Sequence, residues 1–466
     1  MSSTIAVVGG GLAGIAAAVR LAAAGQRPVL IETRQRLGGR ATSFQDPRGG
    51  GLLDNCQHVV MGCCTNLLDL YGRLGVLDSI IWGNQTYWAN PPHPPCPMRP
   101  ANWLPAPLHF APSFSGMSFL SVPDRRAIAR AMWRLIRLGS GGRARWMTRT
   151  FTGFLDETSQ PPAARKLFWE PVVVGACNLA CERVCAAEAM KVFQDGFLSD
   201  RWSSAIGLSA LPLVRLYDPA EAIIRAAGGE VRLGVSAQAL AFDGRRVSGV
   251  VTDEGLIECA SVVSTVPPDR LESLCSAALR AADSRLSALG RFEFSPILGV
   301  HLFFDQSVMA TPHLVLPGRD THWLFDKGPD ELGRQHVHAV ISAADDWMEL
   351  DEAAIVQRVL ADLWWALPQS RGLQPVGFRS VKERRATIAA TPAVQAARPG
   401  PASDAVRGGV DNLYLAGDWC GTGWPATMEG AVRSGYSAAA AVNGLGELVG
   451  DVPAAPLAAA LGLGSG

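Results

Sequence analysis

The chain has 466 residues, with 42 basic and 42 acidic side chains, so it is formally neutral and long enough for two or more domains. Neutrality argues against a broad nucleic-acid surface, and no uncharged run is long enough to span a bilayer. The ten cysteines include no C-x-x-C pair, which leaves zinc and thioredoxin-type chemistry unsupported and predicts no metal site.

The apolar run Ile5–Val8 predicts a strand that enters a Gly9-x-Gly11-x-x-Gly14 turn. Leu12 and Ala13 open a long Ala-rich helix, and a second strand, Pro28–Ile31, ends in Glu32. This is the βαβ dinucleotide fingerprint in its required context. Gly9 allows the tight turn, Gly11 lets backbone approach a pyrophosphate, and Gly14 lets helix and strand pack closely. The helix N-terminus offers free N–H groups to phosphate charge. Glu32 lies about 20 residues beyond, where an acidic side chain meets a ribose hydroxyl. Arg34, Arg36, Gly38, Gly39 and Arg40 follow at once. A second glycine pair there permits another close backbone approach, and Arg40 supplies a charge-assisted contact to the cofactor.

Further along, the proline-dense stretch Pro91–Pro112 reads as loop, and residues 123–200 read as mostly helical. Within them, Val122–Leu138 gathers Arg126, Arg130, Arg134 and Arg137 on one helical side and Ile128, Met132 and Leu135 on another, with Trp133 near the boundary. Such a helix either packs on its own domain or lies on an anionic membrane. Cys177, Cys181 and Cys185 share one face if their segment is helical, and read as small buried hydrophobes. Leu213–Gly228 predicts a helix. Glu230–Val235, Val247–Thr252 and Val262–Val266 predict strands that return to the nucleotide domain. Ile297–Phe304, His336–Ser342 and Gly377–Glu383 predict a mixed or antiparallel sheet, with a helix over Glu352–Leu367. Asn412–Ala416 predicts a last strand into Gly417-Asp418, then a glycine-rich loop and a helix from about Thr427. The residues after Val452 are expected to fray.

The expected fold is α/β (α+β overall). A discontinuous Rossmann-like nucleotide domain takes residues 1–85, 213–275 and 405–450. A helical and mixed-sheet substrate domain is inserted as 86–212 and 276–404, and 451–466 form the tail. The strand–Gly417–Asp418–loop–helix run is a second cofactor signature. Asp418 stands where a carboxylate can accept from cofactor hydroxyls. Thr427 and Met428 put a helix N-terminus there, whose positive dipole end stabilises negative charge on a bound cofactor.

The run Glu32-x-Arg34-x-x-x-Gly38-Gly39-Arg40 resembles the flavoprotein extension of the amine oxidase and carotenoid desaturase superfamily. Three further stretches narrow the match: Leu53–Val59 with Gly62-Cys63, Phe168–Val172 through Asn178, and Pro212 with Leu216–Ala220. Together they resemble the hydroxysqualene dehydroxylases, also known as squalene-associated FAD-dependent desaturases, over nearly the whole chain. One departure is Cys56, where that family usually has glycine. The resemblance implies FAD, an adenine contact from the Val235 backbone, and reduction of hydroxysqualene to squalene with reduced FAD as hydride source. Cys420 does not match the linking cysteine of covalent amine oxidases, so non-covalent FAD is expected. His58 is the first candidate for the acid that helps water leave, with Gln57 positioning the substrate; Asp54 and Glu170 are lesser candidates. The oily substrate implies contact with the inner face of the cytoplasmic membrane, and upstream squalene-pathway enzymes as partners. No export signal is visible, so a cytoplasmic setting is expected. No second dinucleotide fingerprint identifies an electron donor, and the direction of hydride flow stays open. A carotenoid (phytoene-type) desaturase is the alternative, a flavin amine oxidase a further one, and a non-catalytic FAD-bound scaffold the last.

Overall fold

The computed structural model describes residues 4–48, 51–400, 409–444 and 448–464. A five-stranded parallel sheet runs in the order Glu230–Leu233, Pro28–Glu32, Ile5–Val8, Ser261–Ser264, Leu413–Leu415. Three distant stretches of chain therefore build one sheet. The inner strand Ile5–Val8 and the strand Leu413–Leu415 are short apolar runs buried on both faces, as a covered parallel sheet requires, while the edge strand Glu230–Leu233 buries only Val231. The Ala-rich helix Leu12–Ala23 covers one face and packs on the C-terminal helix Met428–Asn443. Small side chains permit this approach: a Cβ on Gly435 would lie 2.2 Å from the Ala13 carbonyl oxygen. Val247–Thr252 does not join the parallel sheet. It is the centre of an antiparallel three-stranded sheet with Ala237–Phe242 and Gly255–Glu258.

A seven-stranded mixed sheet forms the second layer, in the order Gly377–Ile388, Phe294–Phe304, Gln335–Ser342, Trp323–Pro329, His313–Val315, Thr86–Asn90, His93–Met98. The last of these corrects the expectation of loop over 91–112. Pro94, Pro95 and Pro97 cannot donate to a ladder, and the strand that holds them sits at the sheet edge, where one side needs no donors. Two other expectations also fail. Cys177 ends a helix, Asn178 turns left-handed (φ 50°) as its cap, and Cys181 and Cys185 lie beyond, so the three cysteines share no helix face although all are buried. The tail does not fray: Pro456–Ala460 is helical, and Ala458 and Leu463 are buried in the helical core with Ile136 and Phe193. Among the described residues no helix is long and apolar enough to cross a membrane, and no cluster of side chains could hold a metal ion.

Buried histidines give the fold an acid limit. Burial holds His109, His301, His313 and His322 at about 4 and His336 at about 3. As pH falls from about 6.5 toward 4, the unfolded chain binds protons that the folded chain refuses, so stability drops. One such histidine contributes up to ~1.4 kcal/mol per pH unit. The urea midpoint should therefore fall clearly between pH 7 and pH 5, and an equal midpoint at both would contradict this burial.

Candidate active site

The glycines of these turns do different work. Gly9 lies at φ 109°, and a Cβ there would meet Thr265 Oγ1 at 2.7 Å. A Cβ on Gly14 would stand 1.8 Å from the Gly9 carbonyl oxygen, so this glycine is set by helix–strand packing. Gly11 differs. Its φ is an ordinary −75°, and an added Cβ would find only Gly39 Cα at 3.9 Å. Space has been left beside it, on the wall of a cavity, where a phosphate needs to come close. The second glycine pair docks against the first: Gly38 N–H donates to the Gly10 carbonyl at 2.9 Å, and Gly11 bridges Gly38.

Glu32 accepts from Gly10 N–H (2.7 Å) and Arg34 N–H (2.8 Å), which fixes the carboxylate at the cavity wall. Arg34 reaches the Gly39 carbonyl at 2.9 Å. Val235 also lines the cavity, but its N–H donates to the Glu32 carbonyl at 3.1 Å, so any adenine contact from this backbone must use the carbonyl. Arg40 donates to the Ala386 carbonyl at 2.9 Å and pairs with buried Asp418, joining the two glycine-rich loops across the chain. Gly417 lies at φ 139° and lines the cavity beside Asp418. Thr427 caps the helix Met428–Asn443 through Gly430 N–H, and both Thr427 and Met428 face the cavity. Beside them Glu429, fully buried, accepts from Asn66 N–H and Leu67 N–H and so caps the helix Thr65–Arg73. Nothing in the sequence marked it. A cradle left open at Gly11, a fixed acid at Glu32 and a helix N-terminus at Met428 fit a dinucleotide-bearing flavin.

One cavity of about 960 Å³ runs from these loops into the inserted layer, at the upper end of small-molecule sites. Its far part is mainly apolar, walled by Trp88, Phe114, Phe168, Phe193, Phe197 and Val315, with the Lys191–Asp195 ion pair among them. Phe168 lies in one π-helical segment, Arg165–Trp169, and Phe193 and Phe197 in another, Val192–Leu198. Polar groups gather near the glycine loops. Gln57 Oε1 accepts from Lys327 Nζ at 2.9 Å, and Lys327 also pairs with Asp54 at 3.3 Å. Lysine only donates, so the amide is oriented with its nitrogen away from Lys327. His58 Nδ1 lies 3.1 Å from the Cys56 carbonyl. Because a carbonyl only accepts, the proton sits on Nδ1, and Nε2 of the neutral ring has none to give. Burial holds this imidazole below its ordinary value, against the pull of the Cys56 carbonyl and Asp54. The expectation that His58 is the acid therefore meets a physical obstacle.

Asp54 and Glu170 do not line the cavity. Asp54 accepts from Ser43 Oγ (2.7 Å) and Leu213 N–H (2.9 Å), a structural role, and Asn55 donates to the Arg40 carbonyl at 2.6 Å. Cys56 is outside the left-handed region, so the departure from glycine costs no backbone strain. His336 donates to His301, which donates to the Asp54 carbonyl at 3.0 Å, holding this block against the seven-stranded sheet. Asn178 stitches Ser295, Thr387 and Ala343 together at the cavity wall. Glu383, on the edge strand Gly377–Ile388, is a half-buried carboxylate of the cavity wall, and its charge acts on Arg40 and Cys56. It makes no ion pair among the described residues. Lys327 and Glu383 were missed because both sit in strands whose pattern signals only pairing. Lys327→Met should cost about 2 kcal/mol, below the ~3–5 of a fully buried pair because Asp54 keeps two donors. Denaturant titration checks this, and an unchanged midpoint would make the pair incidental.

The family model described as "Flavin containing amine oxidoreductase" matches residues 12–443. The chain belongs to that family. It is a flavin-dependent oxidoreductase of the amine oxidase superfamily. Among characterised relatives it is 28% identical to a hydroxysqualene dehydroxylase of Rhodopseudomonas palustris, over 94% of this chain and 98% of that one. It is 25% identical to a 15-cis-phytoene desaturase of Synechococcus elongatus, over 94% and 95%. Among solved structures, putrescine oxidase bound to putrescine superposes with a TM-score of 0.70 at 18% identity, covering 96% of this chain and all of that one. An oxidoreductase from Methanosarcina mazei gives the same score, covering 93% and 98%. These two establish the shared fold.

Proposed function

We propose that this flavin oxidoreductase binds FAD non-covalently and reduces hydroxysqualene to squalene. The observation that carries the reading is the continuity of one cavity, from the glycine cradle into a long aromatic and aliphatic wall. The relatives named hydroxysqualene dehydroxylase support it. A C30 hydrocarbon with one hydroxyl needs such a long and mainly apolar space. Reduced FAD supplies the hydride when bound. The carbon–oxygen bond breaks, and the oxygen leaves as water once it receives a proton. In this chain the Glu383 carboxylate, half-buried on the cavity wall, takes up a proton from solvent before the substrate binds and passes it to the leaving oxygen, while Gln57, turned by Lys327, donates a hydrogen bond to that oxygen. The aromatic wall excludes bulk water. Burial pushes the Cys56 thiol up to about 12, and Cys420 is buried outside the cavity, so neither of these two is set up to form a thioether to the flavin.

The second reading is a carotenoid-type desaturase, favoured by the phytoene desaturase relatives. Coexpression with a hydroxysqualene-forming enzyme separates the two. Accumulated squalene is the expected product, and unconverted hydroxysqualene beside desaturated phytoene in a parallel strain would favour the second.

A further inference from the structure

The helix Val122–Leu138 carries three stripes. Ala127, Ile128, Ala131 and Leu135 are buried against the helical core. Ala129, Met132, Trp133 and Ile136, spaced i, i+3, i+4, i+7, line the cavity, yet Ala129 and Trp133 are also exposed, Trp133 by 48%. The cavity therefore reaches the surface at this helix. Directly beside that stripe stand exposed Arg126, Arg130, Arg134 and Arg137. Among the described residues only Arg134 of these four has a carboxylate within ion-pair distance, Glu157 at 3.9 Å, and Glu157 already pairs with Arg149 at 2.6 Å. In a neutral chain this is a local excess of positive charge.

A second element meets the same opening. The loop 101–109 is closed at its base by Ala101 N–H to the His109 carbonyl (2.7 Å) and braced by Arg201 to the Asn102 carbonyl (2.7 Å). It presents Trp103, 76% exposed, and Leu108, 43% exposed, and Leu108 lines the cavity. Large apolar side chains held out in water around an opening mark an interaction surface. Tryptophan beside arginine suits the interface of an anionic bilayer, where the ring sits at headgroup depth and the guanidinium meets phosphate.

Resting on the reading of an oily substrate, we propose that this helix and loop form the rim by which the protein docks on an anionic phospholipid surface, so that substrate passes from bilayer to cavity without crossing water. The test is co-sedimentation of the purified flavoprotein with vesicles of phosphatidylglycerol and phosphatidylcholine, and of phosphatidylcholine alone. The wild type should pellet with the anionic vesicles at low salt. Arg126→Gln/Arg130→Gln/Arg137→Gln should weaken partition roughly fivefold per arginine, about a hundredfold in all. Trp103→Ser should weaken what binding survives at high salt. Unchanged flavin absorbance and melting temperature control for folding. Wild type left in the supernatant, or a triple variant that pellets equally, would overturn the proposal. So would a solution dimer broken by Trp103→Ser, which would assign the rim to a second copy. Partition needs no turnover, so a failure here leaves the dehydroxylase reading standing, and a failure of turnover leaves partition readable.

Discussion

Gly11→Ala should yield a folded protein that purifies colourless. The backbone at Gly11 is one that alanine adopts freely, and its Cβ would touch only Gly39 Cα at 3.9 Å, so the fold has no reason to change. The methyl group would instead project into the cavity at the start of the helix Leu12–Ala23, where the proposed cofactor would lie. Flavin occupancy is expected to fall at least tenfold, with circular dichroism and melting temperature close to those of wild-type apoprotein. Gly14→Ala makes the contrast. Its Cβ would lie 1.8 Å from the Gly9 carbonyl oxygen, so helix and strand must separate, at a cost of about 3 kcal/mol or more. A yellow, fully loaded Gly11→Ala protein would show that this turn does not receive the cofactor.

Glu383→Gln should lower the single-turnover rate with hydroxysqualene by about 10²- to 10⁴-fold, the usual contribution of a positioned acid. Glutamine keeps the shape and removes the proton, so flavin content should be unchanged. Glu383→Asp should restore part of the rate. His58→Ala should stay within about tenfold of wild type, because the Cys56 carbonyl fixes the Nδ1–H tautomer and burial opposes the imidazolium. The opposite ranking, with His58→Ala crippled and Glu383→Gln active, would return the acid to His58.

Much of the nucleotide layer was legible because its signals are local. Strand, glycine turn, helix and acid follow one another within Ile5–Glu32, and the spacing alone determines what each glycine can do. The strand, loop and helix around Gly417–Met428 were legible for the same reason. The polar end of the cavity was not. Lys327, His301 and Glu383 act on the Asp54–His58 block from strands far away in sequence, and only the pairing of the seven-stranded sheet brings them there. His58 was singled out by residue type and by the resemblance of its segment, while its donor capacity is set by a carbonyl two residues back. The edge strand His93–Met98 was hidden by its prolines, which forbid a central strand but not an outer one. The tail helix was hidden because its burial depends on a groove in the helical core that no local pattern describes.

The most direct test is anaerobic. The purified protein is photoreduced, mixed with hydroxysqualene, and followed at the flavin absorbance band while squalene is measured. Reoxidation of the flavin with one squalene formed per flavin is the predicted result. A flavin that stays reduced with hydroxysqualene, but bleaches from its oxidised form on adding phytoene, would contradict the account.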